Sequence, residues 1–353
     1  MPEFTGRRMV GCARSSFMPL KDVLGHRRLV ALLARSVSRQ SLPPSLIFSG
    51  PAGVGKRLTA IAAAQLLNCT NRVGEASTID ACGACAACTR IARGVHSDVI
   101  VVEPGDNGSI KIEQIRDLVD RAAYRPFEGR TRVVIIDGAD ALVPAAQNAL
   151  LKTLEEPPSA SIFILITSQP DLLLATVRSR CPCLRFGPLP AEVVVAVLVQ
   201  RGRTEPEARA VAETAGGSLR RALESIAGDL VEGREVAEQV LVSAAATTDP
   251  RRRIEGAKDL LTRTGGGVAG DREQLAVYLR SMGSLLRDAE LVAIGADVRG
   301  LANPDRTETL ERLARTYQGE RGLRAFTAVD GALAALDRNA SVKIVADWLM
   351  LQL

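Results

Sequence analysis

With 353 residues, 46% of them apolar, the chain is long enough to bury more than one core, and two or three domains are expected. A net charge of +5 permits nucleic-acid contact without arguing for it, while an aromatic content of only 3% argues against a base-stacking platform. No apolar run approaches the roughly 18 residues of a membrane span, and seven cysteines without a secretory leader pattern point to a reducing compartment, the cytoplasm, where clustered thiols mean metal or catalysis rather than disulfides.

Residues 1–18 carry Arg7, Arg8 and Arg14 but no apolar core, and are expected to be a flexible extension. Apolar positions from Val23 to Val37 predict a helix after a turn at Gly25, closed by Pro43-Pro44. Leu46-Ile47-Phe48 reads as a buried strand and Leu58 to Leu67 as a helix, so Ser49-Gly50-Pro51-Ala52-Gly53-Val54-Gly55-Lys56-Arg57 is a glycine loop between strand and helix. That is the setting of a phosphate-binding loop, where backbone N–H groups and the helix dipole converge on a polyphosphate beside Lys56. The position after the lysine, which needs a Ser or Thr hydroxyl for Mg²⁺, holds Arg57. At about 4 kcal/mol per pair of unit charges about 4 Å apart, with an effective dielectric of about 20, a divalent ion there is repelled by several kcal/mol. ATP or ADP binding is left open, and hydrolysis is not expected.

Cys69, Cys82, Cys85 and Cys88 follow the helix with the spacing C-x12-C-x2-C-x2-C. Four thiolates so spaced suit a tetrahedral Zn²⁺ with no open position, which makes the metal structural. Val99 to Val102 reads as a second buried strand and Ile112 to Tyr124 as an amphipathic helix. The strand Arg132-Val133-Val134-Ile135-Ile136-Asp137 ends in an acid, like the strand whose terminal Asp holds Mg²⁺ in P-loop ATPases. Asp137 reads equally as a vestige of such a site or as the cap of a helix over Ala139–Leu154. Gly138 stands where hydrolysing members of the largest oligomeric class carry the Glu that activates water. Ile162 to Ile166 is a further strand, finishing at Thr167-Ser168-Gln169-Pro170. This alternation predicts an α/β parallel sheet with helices on both faces. Beyond it lies Arg178-Ser179-Arg180-Cys181, with Cys181 read as a small buried hydrophobe because no histidine is near in sequence.

Pro188-Leu189-Pro190 marks a hinge. Ala191–Gln200, Glu205–Thr214 and Leu219–Ile226 then predict three short helices, and a polar, glycine-bearing patch at Gly228–Gly233 is expected to loosen the chain. The rest is helical in pattern, broken at Thr264–Gly267 and at Asn303-Pro304. One apolar stripe runs through Leu275, Leu279, Met282, Leu285 and Leu286, and another through Val342, Val345, Ala346, Leu349 and Leu353. Arg251-Arg252-Arg253 reads as a solvated face.

The run Asn148-Ala149-Leu150-Leu151-Lys152-Thr153-Leu154-Glu155-Glu156-Pro157-Pro158, then Ser179-Arg180-Cys181, then Gly217-Ser218-Leu219-Arg220-Arg221-Ala222-Leu223, resembles bacterial DNA polymerase III clamp-loader subunits, from about Leu20 to Leu223. The altered ATPase residues look like delta-prime members of that family rather than the gamma or tau motor. The resemblance implies an AAA+ P-loop domain over 19–188 with a zinc module at 69–88, a helical lid over 189–230 and an all-helical collar over 231–353. It further implies a hetero-pentamer with gamma or tau and delta subunits that meets the sliding clamp and primer-template DNA. Arg180 would be an arginine finger acting in trans on a neighbour's γ-phosphate. Gly50, Gly53, Gly55, Lys56, Arg57, Asp137, Thr167 and Arg220 would form a degenerate nucleotide site, Arg220 either reporting nucleotide state or pairing with an acid on the lid. Two other readings are an ATP-hydrolysing motor of gamma or tau type, or another P-loop ATPase, and a zinc-dependent DNA-binding module. Arg57 and Gly138 weigh against the first, and the sparse basic and aromatic character around the cysteines against the second.

Overall fold

A computed structural model describes residues 18–353 apart from 76–77, 106, 225–228, 248, 262–266, 297–300 and 339. The chain divides into two compact units, Met1–Pro188 and Leu189–Leu353. In the first, a 3-10 turn (Leu20–Asp22) and α1 (Arg27–Ser38) precede β1 (Ser45–Ser49), α2 (Lys56–Asn68), α3 (Ala86–Ala92), β2 (Val99–Val102), α4 (Ile112–Ala123), β3 (Arg132–Asp137), α5 (Pro144–Glu155), β4 (Ser161–Thr167), α6 (Ala175–Arg178) and β5 (Cys183–Arg185). The five strands form one parallel sheet in the order β2-β3-β4-β1-β5.

The order explains which strands announce themselves. β1, β3 and β4 lie inside the sheet and are apolar on both faces, with Phe48, Val134, Ile135 and Phe163 fully enclosed. Helices cover both sides. Leu33, Leu66 and Ile91 pack with Phe48 and Ile164 on one face, and Ile115, Leu118, Leu150 and Val177 pack with Ile136 and Phe163 on the other.

Several expectations need correction. Val99–Val102 is an edge strand, with Val101 exposed, so it is only partly buried. Ala139–Leu154 is not one helix. A 3-10 turn (Ala139–Ala141) ends at Leu142, and α5 starts afresh with Pro144 in its first turn, where a missing N–H costs nothing. Asp137 caps neither, because the turn begins at Gly138 without a side-chain cap. β5, three residues long, had no sequence signal.

Asp98 organises the end of β2. Its fully buried carboxylate accepts from the amides of Phe127, Glu128 and Gly129 and from Arg132 Nη2, each at 2.8 Å. Burial pushes its pKa up, and these four donors more than reverse that, taking it to about 2.

The second unit is helical, with α7 (Ala191–Gln200), α8 (Glu205–Thr214) and α9 (Leu219–Glu224) enclosing a small core of Leu189, Val194, Leu198, Ala208 and Ala222. α8 opens with a capping box, the Thr204 amide donating to Glu207. α10 (Asp229–Ala246), α11 (Pro250–Leu261), α12 (Gly267–Ala293), α13 (Thr307–Thr316), α14 (Glu320–Asp337) and α15 (Val342–Gln352) share a larger core. The stripes from Leu275 to Leu286 and from Val345 to Leu353 both face it. Residues 229–233, expected to be loose, are the first turns of α10. Thr264–Gly266 and the extension up to residue 17 lie outside the described residues.

Candidate functional site

Strand β1 delivers the chain into the glycine loop at its C-terminal edge, and α2 leaves it with its N-terminus toward the loop. Gly50, Gly53 and Gly55 adopt φ of 142°, 77° and 104°, conformations that side chains resist. At Gly50 a Cβ would lie 2.0 Å from the Phe186 carbonyl oxygen, so the loop passes the start of the next segment with room for glycine alone. The loop is anchored from beneath. Val54 is buried in the sheet core, and His26 Nε2 donates to its carbonyl (2.9 Å) while the imidazole edge meets Phe186.

Lys56 folds inward, 6% exposed, its ammonium donating to the carbonyls of Gly50 and Pro51, the latter at 2.6 Å. Burial lowers its pKa, and Asp140 and Asp137 oppose that shift. A buried cation among glycine amides at a helix N-terminus fits a polyphosphate.

The metal side of the site does not fit. Arg57 Nη1 donates to Asp137 Oδ2 at 2.8 Å and makes a second ion contact with Glu103. The carboxylate at the end of β3 is therefore held by a guanidinium from the position where a P-loop ATPase offers its hydroxyl to Mg²⁺. Gly138, one residue on, has φ 82°, and a Cβ there would press on Pro104 at 3.2 Å, so this backbone resists any side chain in the place of a water-activating Glu. Thr167, at the end of β4, is buried, and its hydroxyl accepts from the Gln169 amide. Beside it Asp140 accepts from the amide and hydroxyl of Ser168.

Arg180 follows α6, outside this cluster. Its Nε donates to Glu155 Oε1 at 2.7 Å, Nη2 meets the same oxygen, and Nη1 donates to the Thr176 carbonyl at 2.8 Å. The segment is fixed from below by Gln147, which donates to the carbonyls of Leu142 and Leu172 and accepts from the Leu174 amide. Cys181 is buried, which pushes its thiol up to about 11 against the opposing charge of Arg180, so it is an unreactive packing residue. Arg220 is exposed on α9 in the second unit.

The four cysteine sulfurs of Cys69, Cys82, Cys85 and Cys88 all lie within 4.8 Å of one another. The amides of Cys82, Cys85 and Cys88 point at the sulfurs of Cys69, Cys82 and Cys85 at 3.2, 3.4 and 3.5 Å. Convergent sulfurs whose charge is met by N–H donors suit a metal–thiolate centre. Buried Asp80 ties the module to the 3-10 turn through the amides of Leu20 and Lys21.

Residues 25–190 match the family model described as "DNA polymerase III, delta subunit". Subunit tau of DNA polymerase III from Bacillus subtilis (strain 168) is 32% identical over 243 residues, 64% of this chain and 41% of that protein. Subunit tau from Escherichia coli (strain K12) is 32% identical over 254 residues, covering 70% and 39%. Over these spans the chain is similar to subunits of DNA polymerase III. The alignments span less than half the length of these relatives. A solved gamma subunit-related protein of DNA polymerase III from Thermotoga maritima aligns with 90% of this chain and 96% of its own at 18% identity, with a TM-score of 0.45.

The glycine loop, Lys56, Arg57 and Asp137 lie together at the C-terminal edge of the sheet. Glu103 and His26 complete this site, and Glu155 and Gln147 fix the separate Arg180 segment; none of the four was anticipated in these roles. Glu103 carries no local signal in sequence, and Glu155, although inside the run over 148–158, is marked as the partner of Arg180 only by its tertiary position.

Proposed function

We propose that the chain is a non-hydrolysing, delta-prime-type clamp-loader subunit of the replicative polymerase. In this reading it lends Arg180 to the ATP site of a gamma or tau neighbour and scaffolds, with delta, the ring that loads the sliding clamp on primed DNA. The observation that carries the proposal is the Arg57–Asp137 ion pair, because it fills the metal side of the chain's own site with a fixed cation. The left-handed backbone at Gly138 supports it by denying a base next to Asp137. A ring member that cannot cut its own nucleotide still contributes if it supplies a guanidinium next door, where the planar, always-charged fork meets charge developing on the γ-phosphate.

Zn²⁺ is proposed as the ion held by Cys69, Cys82, Cys85 and Cys88, with all four positions taken by protein and hence a purely structural role. Similarity to gamma and tau subunits favours the motor reading, and Arg57 and Gly138 weigh against it.

The test is reconstitution with gamma or tau and delta. The chain alone is expected to show background ATPase activity with Mg²⁺ and primed DNA. Arg180→Ala is expected to leave ring assembly intact while DNA-stimulated hydrolysis by the partners falls. Brisk turnover by the isolated chain overturns the non-hydrolysing role, and undiminished partner turnover with Arg180→Ala overturns the finger.

A further inference from the structure

The two halves of the glycine-loop site disagree. The phosphate half is intact: Gly50, Gly53 and Gly55 hold the left-handed turns, and the ammonium of Lys56 is enclosed by the loop. The metal half is closed by Arg57, which bridges Asp137 and Glu103. A guanidinium carries five N–H donors in a planar fork, and both contacts are made by one nitrogen, Nη1. The same group that excludes a divalent cation is therefore able to turn its remaining donors to phosphate oxygens, as guanidinium groups do in bidentate phosphate recognition.

We infer that this loop takes the polyphosphate of a nucleoside di- or triphosphate without Mg²⁺, with Arg57 as the resident counter-cation and Glu103 as the internal anion that competes with the nucleotide for it. The inference rests on the non-hydrolysing reading, and it adds what the loop binds and in which metal state. Two physical points give it direction. A metal brought in by MgATP meets the Arg57 charge at close range in a site partly shielded from water, so the metal complex gains nothing over free nucleotide there. The acids draw the metal in less strongly, because the guanidinium already offsets one of the two carboxylate charges of Asp137 and Glu103. Glu103 is half exposed and lies on the loop after β2, so it can yield its place without disturbing the sheet.

The experiment uses the full chain and fluorescent mant-ADP and mant-ATP, titrated in 5 mM MgCl₂ (about the usual excess over nucleotide) and again in EDTA. The expected result is saturable binding with a Kd that agrees within about threefold between the two buffers. Lys56→Ala should lose at least tenfold in affinity in both. Arg57→Thr, which restores a hydroxyl, should bind at least tenfold more tightly with Mg²⁺ than with EDTA. Glu103→Gln, a second variant on an exposed loop, should bind several-fold more tightly than the parent in either buffer. No saturable binding, a parent Kd that weakens tenfold or more in EDTA, or an Arg57→Thr protein still indifferent to Mg²⁺ overturns the inference. An unchanged affinity in Glu103→Gln removes the competition assigned to that residue. These readouts separate from the function: hydrolysis by the purified chain counts against the non-hydrolysing reading, whereas metal-dependent binding counts against this inference alone and leaves Arg180 untouched.

Discussion

For Arg180 to reach a phosphate on another subunit, its guanidinium has to leave Glu155, and Glu155→Ala tests what that release costs. The pair is open to water, with side-chain exposures of 33% and 45%, so its contribution belongs in the range of about 0.2–1 kcal/mol found for surface ion pairs. The Nη1 bond to the Thr176 carbonyl remains in the variant and adds about 0.5–1.5 kcal/mol to the resting position in both proteins. Deleting the carboxylate therefore frees the finger by up to about 1 kcal/mol, or about fivefold, since about 1.4 kcal/mol is a factor of ten. The assay is DNA-stimulated ATP hydrolysis by rings reconstituted with gamma or tau and delta. Glu155→Ala is expected to raise the rate, by at most about fivefold, while melting of the isolated chain stays nearly unchanged. Arg180→Ala, by contrast, removes a group worth roughly 10³ to 10⁵ in rate where such fingers act. A Glu155→Ala rate that is unchanged or lower refutes the reasoning. A fall toward the Arg180→Ala level shows that Glu155 supports the working position of the arginine rather than competing with it.

Asp98→Ala removes the acceptor of three amides and the counter-charge of buried Arg132, which keeps only its bonds to the carbonyls of Arg121, Tyr124 and Arg125, so a loss of about 3–5 kcal/mol is expected in urea denaturation of the full chain. The same carboxyl gives a pH dependence: with its pKa lowered from 3.8 to about 2, it contributes roughly 2–3 kcal/mol above the ordinary value, and this is lost as pH falls through about 2. About 1 kcal/mol should already be gone at pH near 3, and an identical acid response in parent and Asp98→Asn would refute that assignment. Gly50→Ala puts a methyl against the Phe186 carbonyl at φ 142° and should abolish mant-nucleotide binding, which titration in EDTA reads directly. Stripping metal with a strong chelator, or Cys85→Ser, should lower the melting temperature of the first unit and reduce zinc content by metal analysis, with helical melting of the second unit preserved.

How much of this was legible in the sequence follows from how local each cause is. β1, β3 and β4 are visible as unbroken apolar runs because interior parallel strands meet helices on both faces, and α4 shows its stripe because only one side is covered. β2 misled because a run of four β-branched residues looks the same at an edge as in the centre. Cys183-Leu184-Arg185 became a strand only through pairing with Ile47-Phe48-Ser49 across the sheet.

The same division runs through the site. A glycine loop and four spaced cysteines are local patterns, since turn geometry and ligand spacing are written within a few residues of each other. The choice between metal ligand and cap for Asp137 was not local. The turn that starts at Gly138 removes the cap, and the partner Asp137 does take is Arg57, 80 residues earlier in the chain, reaching the end of β3. Arg57 in sequence says only that a hydroxyl is missing, whereas its contacts with Asp137 and Glu103 show a cation held between two acids, and on the proposed reading that cation stands in for a metal. An absent ligand leaves a site weaker for Mg²⁺, but a resident cation changes which form of nucleotide the site prefers. That is why a single substitution, Arg57→Thr, should alter the metal dependence of binding while Lys56 and the three glycines keep the phosphate cradle intact.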